Sequence, residues 1–263
     1  MAAPVYEAYA IKYAHHARNA SANFLGGVAP DEHDGPMPLD YFVWLVRGAG
    51  REIVVDTGFS AAVARRRGRE HLRCPAEGLR LLGCDAAAVQ DVVITHLHYD
   101  HVGNFELFPA ATYHLQDDEM RFATGRHMAQ PAYRGAFDVE DVVGMVRGAY
   151  DGRVRFHDGD GEVAPGVTVH RLGGHTLGLQ VVRLPTRRGA LVLASDASHF
   201  YANMENDRPF PIVHDLAAVK AGYRRLRELA DSPAHIIPGH DPEVLKRYPA
   251  PLADLQGIVA RLD

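Results

Sequence analysis

Val93-Ile94-Thr95-His96-Leu97-His98-Tyr99-Asp100-His101-Val102-Gly103 places three histidines and a carboxylate within six residues, directly after an apolar run, Val92-Val93-Ile94, that reads as a buried strand. In extended chain, side chains two positions apart point the same way. His96 and His98 are therefore expected to converge on one cation, while Asp100 and His101 aim at a neighbouring one. Neutral imidazole and carboxylate are ligands for zinc, manganese and iron, and a strand end holds them rigidly. Solvated loop histidines would have no reason to alternate in this way.

The pattern His-x-His-x-Asp-His after a strand resembles the signature of the metallo-β-lactamase superfamily. That resemblance implies an α/β fold, an αββα sandwich in which two mixed sheets are flanked by helices, with a metal site at one edge. It also implies where the remaining ligands lie. Gly173-Gly174-His175-Thr176-Leu177-Gly178 follows the strand 167–172 and supplies His175, the strand 190–196 ends in Asp196, and Ile236-Ile237-Pro238-Gly239-His240 ends in His240. By resemblance, His96, His98 and His175 hold one metal, Asp100, His101 and His240 hold the other, and Asp196 bridges them. Leu177 stands where the family more often has Pro, a change in loop rigidity rather than in ligation. Asp56, in Asp56-Thr57-Gly58, matches a family element that orients the metal loop from behind without touching metal. An Asp capping a turn before Gly58 is an equally good reading of those residues, and the two are compatible.

Composition sets the outer bounds. The 263 residues suffice for one large sandwich domain, read here as 1–263 with a pocket-lining insertion near 117–150. Lys plus Arg number 28 against 33 Asp plus Glu, a formal charge of −5, so no basic excess points to nucleic acid. The local run Arg65-Arg66-Arg67-Gly68-Arg69 reads most simply as a solvated helix face or loop. Two cysteines, Cys74 and Cys84, sit apart from the histidine motifs and suit a reducing cytoplasm. No secretory signal or membrane-length apolar run is visible, so a soluble cytoplasmic protein, monomer or homodimer, with no membrane partner is expected.

Along the chain, residues 5–13 alternate as a first strand, and His15 to Pro38 reads as a long loop near the site mouth whose histidines are plain loop residues. Residues 41–46 and 52–56 form a hairpin around Gly48-Ala49-Gly50. Residues 60–91 read as helical, with Asp85 capping a short helix, Asn104 opens a helix over Phe105 and Leu107, and 112–115 is a strand whose His114 faces the sheet. Residues 117–150 are helical around a loop at 125–135. Residues 215–230 form an amphipathic helix, a last helix starts near Pro251, and His170 and His235 fall within strands.

The chemistry follows from the resemblance. Two divalent ions, zinc first and iron, manganese or cobalt as alternatives, would acidify a bridging water to a hydroxide that attacks a carbonyl. Asp100 would carry the proton to the leaving alkoxide. The Ser195-Asp196-Ala197 turn and the closing Gly239-His240-Asp241 resemble the N-acyl-homoserine lactonase group, quorum-quenching enzymes that open a lactone. Several members carry a Tyr three residues after the bridging Asp, where this chain has His199, whose N–H could donate to an oxyanion. Tyr99, Tyr133 and Tyr201 are candidate pocket residues. Arg208 could hold a substrate carboxylate, although bridging nearby loop carbonyls or Asp207 is the stronger reading. A glyoxalase-type thioester hydrolase, or another carboxylic ester hydrolase, is the alternative; a basic C-terminal surface for glutathione would need more than Lys246 and Arg247.

Overall fold

The structure, a computed structural model, describes residues 4–263. Thirteen strands and eight helices appear among these residues. The strands are β1 (Glu7–His16), β2 (Leu39–Gly48), β3 (Arg51–Val55), β4 (Glu70–His71), β5 (Asp91–Val93), β6 (Thr112–Gln116), β7 (Val154–His157), β8 (Gly161–Ala164), β9 (Val167–Arg171), β10 (Gln180–Thr186), β11 (Gly189–Ser195), β12 (Ile236–Pro238) and β13 (Val259–Arg261). The helices are α1 (Ala61–Arg67), α2 (Pro75–Arg80), α3 (Asp117–Ala123), α4 (Pro131–Arg134), α5 (Val139–Tyr150), α6 (Tyr201–Glu205), α7 (Leu216–Leu229) and α8 (Val244–Arg247).

One sheet runs in the order β13-β1-β2-β3-β5-β6-β7, with β4 also paired to β1, and the other runs β12-β11-β10-β9-β8. Both are mixed: β3, β5, β6 and β7 are parallel neighbours, as are β11 and β12, and the remaining pairs are antiparallel. Strand β2 shows why the first sheet is central. Phe42, Trp44 and Val46 face the second sheet, while Tyr41, Val43 and Leu45 face a second apolar cluster beneath α1, α2 and α5. A strand buried on both faces reads as a continuous apolar run rather than an alternation. Helix α7 closes the other side, its Val219, Tyr223, Leu226 and Leu229 packing on the second sheet. The layers are helix, sheet, sheet, helix.

Several expectations are corrected. No helix starts at Pro251; a 3-10 turn at Ala253–Leu255 leads into β13, which pairs with the free edge of β1. Pro249, Pro251 and Gly257 break the segment, and an open strand edge offers it backbone partners that an isolated short helix lacks. The expected helical stretch 60–91 is two short helices divided by β4, because the left-handed Gly68 (φ 65°) ends α1. His235 lies in a 3-10 turn, not in a strand. Asn104, also left-handed at φ 50°, precedes a 3-10 turn, Phe105–Leu107, rather than an α-helix. Asp85 caps as expected, its side chain accepting from the Ala87 N–H in a single 3-10 turn. Cys74 and Cys84 are free thiols, and burial pushes the Cys84 thiol up to about 12. Among the described residues, no helix is long and apolar enough to cross a membrane.

Candidate metal centre

The ligand-bearing loops leave the same ends of the two sheets. The 94–103 loop follows β5, the 172–179 loop links β9 to β10, Asp196 follows β11, and His240 follows β12. Two conformational constraints aim these loops. Ser195, just before Asp196, holds φ 45°, and Asp56, at the end of β3, holds φ 60°, both in the left-handed region. Gly178 is required for a different reason. A Cβ there would lie 2.1 Å from the Glu119 backbone nitrogen, so only glycine lets the His175 loop approach α3.

Hydrogen-bond partners fix the imidazole faces. His101 Nδ1 lies 2.7 Å from Asp56 Oδ2, His240 Nδ1 3.0 Å from the Asp40 carbonyl, and His175 Nδ1 2.8 Å from the Ile212 carbonyl. Those oxygens only accept, so each Nδ1 carries a hydrogen and each Nε2 is the atom turned inward, where it could offer a lone pair to a cation. Yet His101 Nε2 and His240 Nε2 face each other at 3.3 Å, and His98 Nδ1 lies 2.9 Å from His175 Nε2 and 3.1 Å from His96 Nε2.

Asp196 sits between the two groups. Its Oδ2 is 3.1 Å from His175 Nε2 and 3.6 Å from His96 Nε2, while its Oδ1 is 3.2 Å from His101 Nε2 and 2.9 Å from His240 Nε2. Asp100 Oδ2 is 3.7 Å from both His101 and His240 Nε2. Acceptors are thus buried against acceptors, and Asp196 Oδ1 has no hydrogen-bond partner. A cation on each side of Asp196 resolves both problems. Tetrahedral coordination at ~2.0–2.1 Å places donor atoms about 3.3 Å apart, matching the observed spacing. The side chains present would fit two ions: the ligand atoms of His96, His98, His175 and Asp196 lie within 4.8 Å of one another, as do those of Asp100, His101 and His240, and Asp196, His199 and His240 form an overlapping group.

Charge at the site agrees. Burial and neighbouring imidazoles hold His96 and His98 well below the ordinary histidine range. Burial would also lower His101, but the carboxylates of Asp196, Asp100 and Asp56 outweigh it and hold that ring well above the range. A setting that attracts a proton attracts a metal ion for the same reason.

The surrounding shell is only partly legible in sequence. Asp56 behaves as the orienting carboxylate: Oδ1 accepts from the Thr95 N–H at 2.8 Å, and Oδ2 accepts from Thr95 Oγ1 at 2.9 Å and from His101. Asp56→Asn would turn an amide N–H toward donors that now find an acceptor. It is expected to weaken ion binding on the His101 side about 10–100-fold, read by competition with a chelating dye. Wild-type affinity would remove Asp56 from the positioning role. Glu119, absent from the sequence reading, is buried in the first turn of α3. It accepts from the Leu97 N–H at 2.9 Å, from Thr176 Oγ1 at 2.6 Å and from the Gly178 N–H at 3.0 Å, tying the His98 loop to the His175 loop. Asp117, Asp118 and Glu119 form an acidic run of three, and the sequence gave no sign of which one turns inward.

The remaining candidates divide. Tyr99 lines the cavity over the metal centre, its hydroxyl 3.2 Å from that of Tyr41. His199 also lines it, but its Nε2 is 3.0 Å from Asp196 Oδ2, its ring stacks on Phe210 at 3.5 Å, and its buried Nδ1 has no partner. The N–H expected to face an oxyanion is therefore turned to Asp196. Tyr133 stands among Phe122, His127 and His214 rather than at the cavity wall. Tyr201 points away, under the Arg247 guanidinium. Arg208 is engaged elsewhere, donating to Glu32 Oε1 at 2.9 Å and to the Gly27 carbonyl at 3.1 Å, and it does not reach the cavity. Its pairing with loop groups was the simpler expectation, though the carboxylate is Glu32 and not Asp207. His114 is taken up by Asp91 and His157 in the sheet.

Comparison with known proteins adds the family. The chain is 27% identical over 244 residues to the N-acyl homoserine lactonase AiiB of Agrobacterium fabrum, covering 85% of this chain and 87% of that protein. It is 31% identical over 192 residues to the N-acyl homoserine lactonase AttM of Azorhizobium caulinodans, covering 66% of each. Among solved structures, an N-acyl homoserine lactone hydrolase with N-hexanoyl-L-homoserine at its metal centre superposes with a TM-score of 0.74 at 22% identity, over 94% of this chain and 97% of that one. The dizinc lactonase AidC gives 0.71 at 17% identity, over 91% and 89%. Likeness at such identities speaks for the fold. The metallo-beta-lactamase superfamily model matches residues 37–240, a span that opens just before β2 and closes on the last of the seven ligand-type side chains; the chain belongs to that superfamily.

Proposed function

We propose that the protein is a dinuclear metal-dependent hydrolase that opens a lactone, an N-acyl-homoserine lactone or a related small one. The observation that carries this reading is the buried ring of six lone-pair donors around Asp196, a carboxylate with one oxygen turned to each half. Curated relatives named as N-acyl homoserine lactonases support the lactone class. When bound, a pair of divalent cations, zinc in first place, supplies Lewis acidity and an acidified water. Asp196 spaces the two halves, Asp56 and Glu119 hold the loops, and Asp100, which lines the cavity, would receive a proton and return it to the leaving oxygen. Tyr99 forms one wall. Residues of the 117–150 insertion line the surroundings: Ala132, Gly135 and Ala136 reach the metal cavity, and Ala123, Met128, Phe137 and Val142 line a neighbouring apolar cavity of about 540 Å³. Lys246 and Arg247 border a different depression, which weighs against a glutathione thioester. The free thiols suit a cytoplasmic location.

The test joins metal analysis to rates on acyl-homoserine lactones, γ-lactones, aryl esters, lactoylglutathione and a β-lactam. Two ions per chain and chelator-sensitive opening of lactones are expected. Cleavage of the thioester alone, or lactone opening that survives removal of the ions, would overturn the reading. His199→Phe preserves the stack on Phe210 but removes the N–H to Asp196. It is expected to lower kcat about 10–100-fold with metal content unchanged; an unaltered rate would dismiss His199 from the reaction.

A further inference from the structure

The basic run in α1 is not uniformly solvated. Arg65 and Arg66 are exposed, but the left-handed Gly68 turns the chain so that Arg67 and Arg69 are half-buried in the wall of the metal cavity. There they meet Arg18, from the loop between β1 and β2. The Arg67 guanidinium lies 3.9 Å above the Tyr99 ring, and Arg69 Nε donates to the Tyr99 hydroxyl at 3.0 Å. Arg18 lies 5.2 Å from the Phe210 centroid, and Phe210 in turn stacks on His199. Each guanidinium is thus one aromatic ring from the metal-bearing loops.

What these three groups lack among the described residues is a direct ion pair; Asp100 acts on Arg69 and Asp141 on Arg67 only through space. Some arginines pair with carboxylates, as in Arg47–Glu52, Arg208–Glu32 and Arg261–Asp263, while others, such as Arg153, Arg183 and Arg227, donate only to carbonyls away from the metal cavity. Among the described residues, Arg18, Arg67 and Arg69 donate to the carbonyls of Ala22, Gly135, Phe137 and Arg67 and to the Tyr99 hydroxyl. Nε of Arg18 and of Arg67 is buried without any partner. The carboxylates at the cavity wall, Asp100 and Asp196, face the metal centre. Three like charges gathered in a half-buried wall repel one another, and an anion placed among them removes that repulsion.

We propose, building on the hydrolase reading above, that the substrate carries a carboxylate besides its scissile lactone or ester, and that Arg18, Arg67 and Arg69 hold that carboxylate while the carbonyl faces the metal centre. The guanidinium fork matches a planar carboxylate. The cavity of about 240 Å³, below the ~300–1,000 Å³ of ordinary ligand sites, fits a small acid. This assigns to Arg18, Arg67 and Arg69 the anion-holding role for which the sequence offered Arg208 only as the weaker reading.

Two probes separate charge from shape: a γ-butyrolactone bearing a ring carboxylate and the same lactone bearing a carboxamide. With the metal-loaded protein, kcat/KM for the acid is expected to exceed that for the amide about 10–100-fold, the range for a charge-assisted hydrogen bond. The ratio should shrink as ionic strength rises. In Arg18→Gln/Arg69→Gln it should fall toward one. A wild-type ratio at or below one, or a ratio preserved in the double variant, would overturn the proposal. Should neither lactone open, the hydrolase reading is decided by the wider substrate series above, and calorimetric titration of the same metal-loaded protein still decides this one. Tighter binding of the acid that disappears in the double variant upholds the anion site, whereas equal binding of acid and amide, or binding of the acid that the variant leaves unchanged, rejects it.

Discussion

Asp196→Ala is expected to leave the protein with at most one tightly held metal ion and to lower kcat/KM by about a thousandfold or more. Among the described residues it is the one carboxylate within reach of both halves of the site, its Oδ2 on the His175 side and its Oδ1 on the His101 and His240 side. Removing it takes a shared ligand and a negative charge from between two cations, so each ion loses affinity and their mutual repulsion goes unscreened. Lewis-acid stabilisation is worth several kcal/mol, and about 4 kcal/mol corresponds to a thousandfold in rate. Inductively coupled plasma analysis after exhaustive dialysis, together with steady-state rates, provides the check. Two retained ions and an undiminished rate would contradict the bridging assignment.

Glu119→Ala is expected to damage both stability and metal binding, although Glu119 touches no ligand. The change leaves the Leu97 and Gly178 N–H groups and the Thr176 hydroxyl buried without their acceptor. At about 1 kcal/mol or more for each stranded donor, the loss approaches 3 kcal/mol. For a chain of this size that corresponds to a fall in Tm of about 6–10 °C. Leu97 lies between His96 and His98, and Thr176 follows His175, so the loosened loops displace one half of the site. Metal affinity on that half is expected to fall about 10–100-fold. Glu119→Gln keeps the shape but turns one N–H toward these donors, and should show the affinity loss with a smaller drop in Tm. A Tm and affinity equal to wild type in Glu119→Ala would show that water replaces the carboxylate and that the tie between the loops is dispensable.

How far the sequence could be read depended on where each interaction partner lies. His96, His98, Asp100 and His101 form a local pattern, and the resemblance it carries pointed to His175, Asp196 and His240 as the other candidate ligands. The C-terminal segment was not. Its pairing with β1 spans nearly the whole chain, and nothing local distinguishes Val259-Ala260-Arg261 from a short helix. Tyr201 and Arg208 follow the Asp196 turn closely in sequence, yet the α6 turn carries Tyr201 beneath Arg247 and Arg208 is captured by Glu32 and Gly27.

By itself, then, the sequence pointed to the sandwich and to a candidate set of metal ligands, because the local His-x-His-x-Asp-His pattern after a strand carries a family resemblance that implies both. Only the tertiary structure decided the identity of the supporting and charged groups. Glu119 is defined by donors at positions 97, 176 and 178, and the positive wall exists because Gly68 reverses the chain and brings Arg67 and Arg69 beside Arg18. Hydrogen bonds and charges act through space, so groups far apart in the chain acquire their roles only when the fold sets the distance between them.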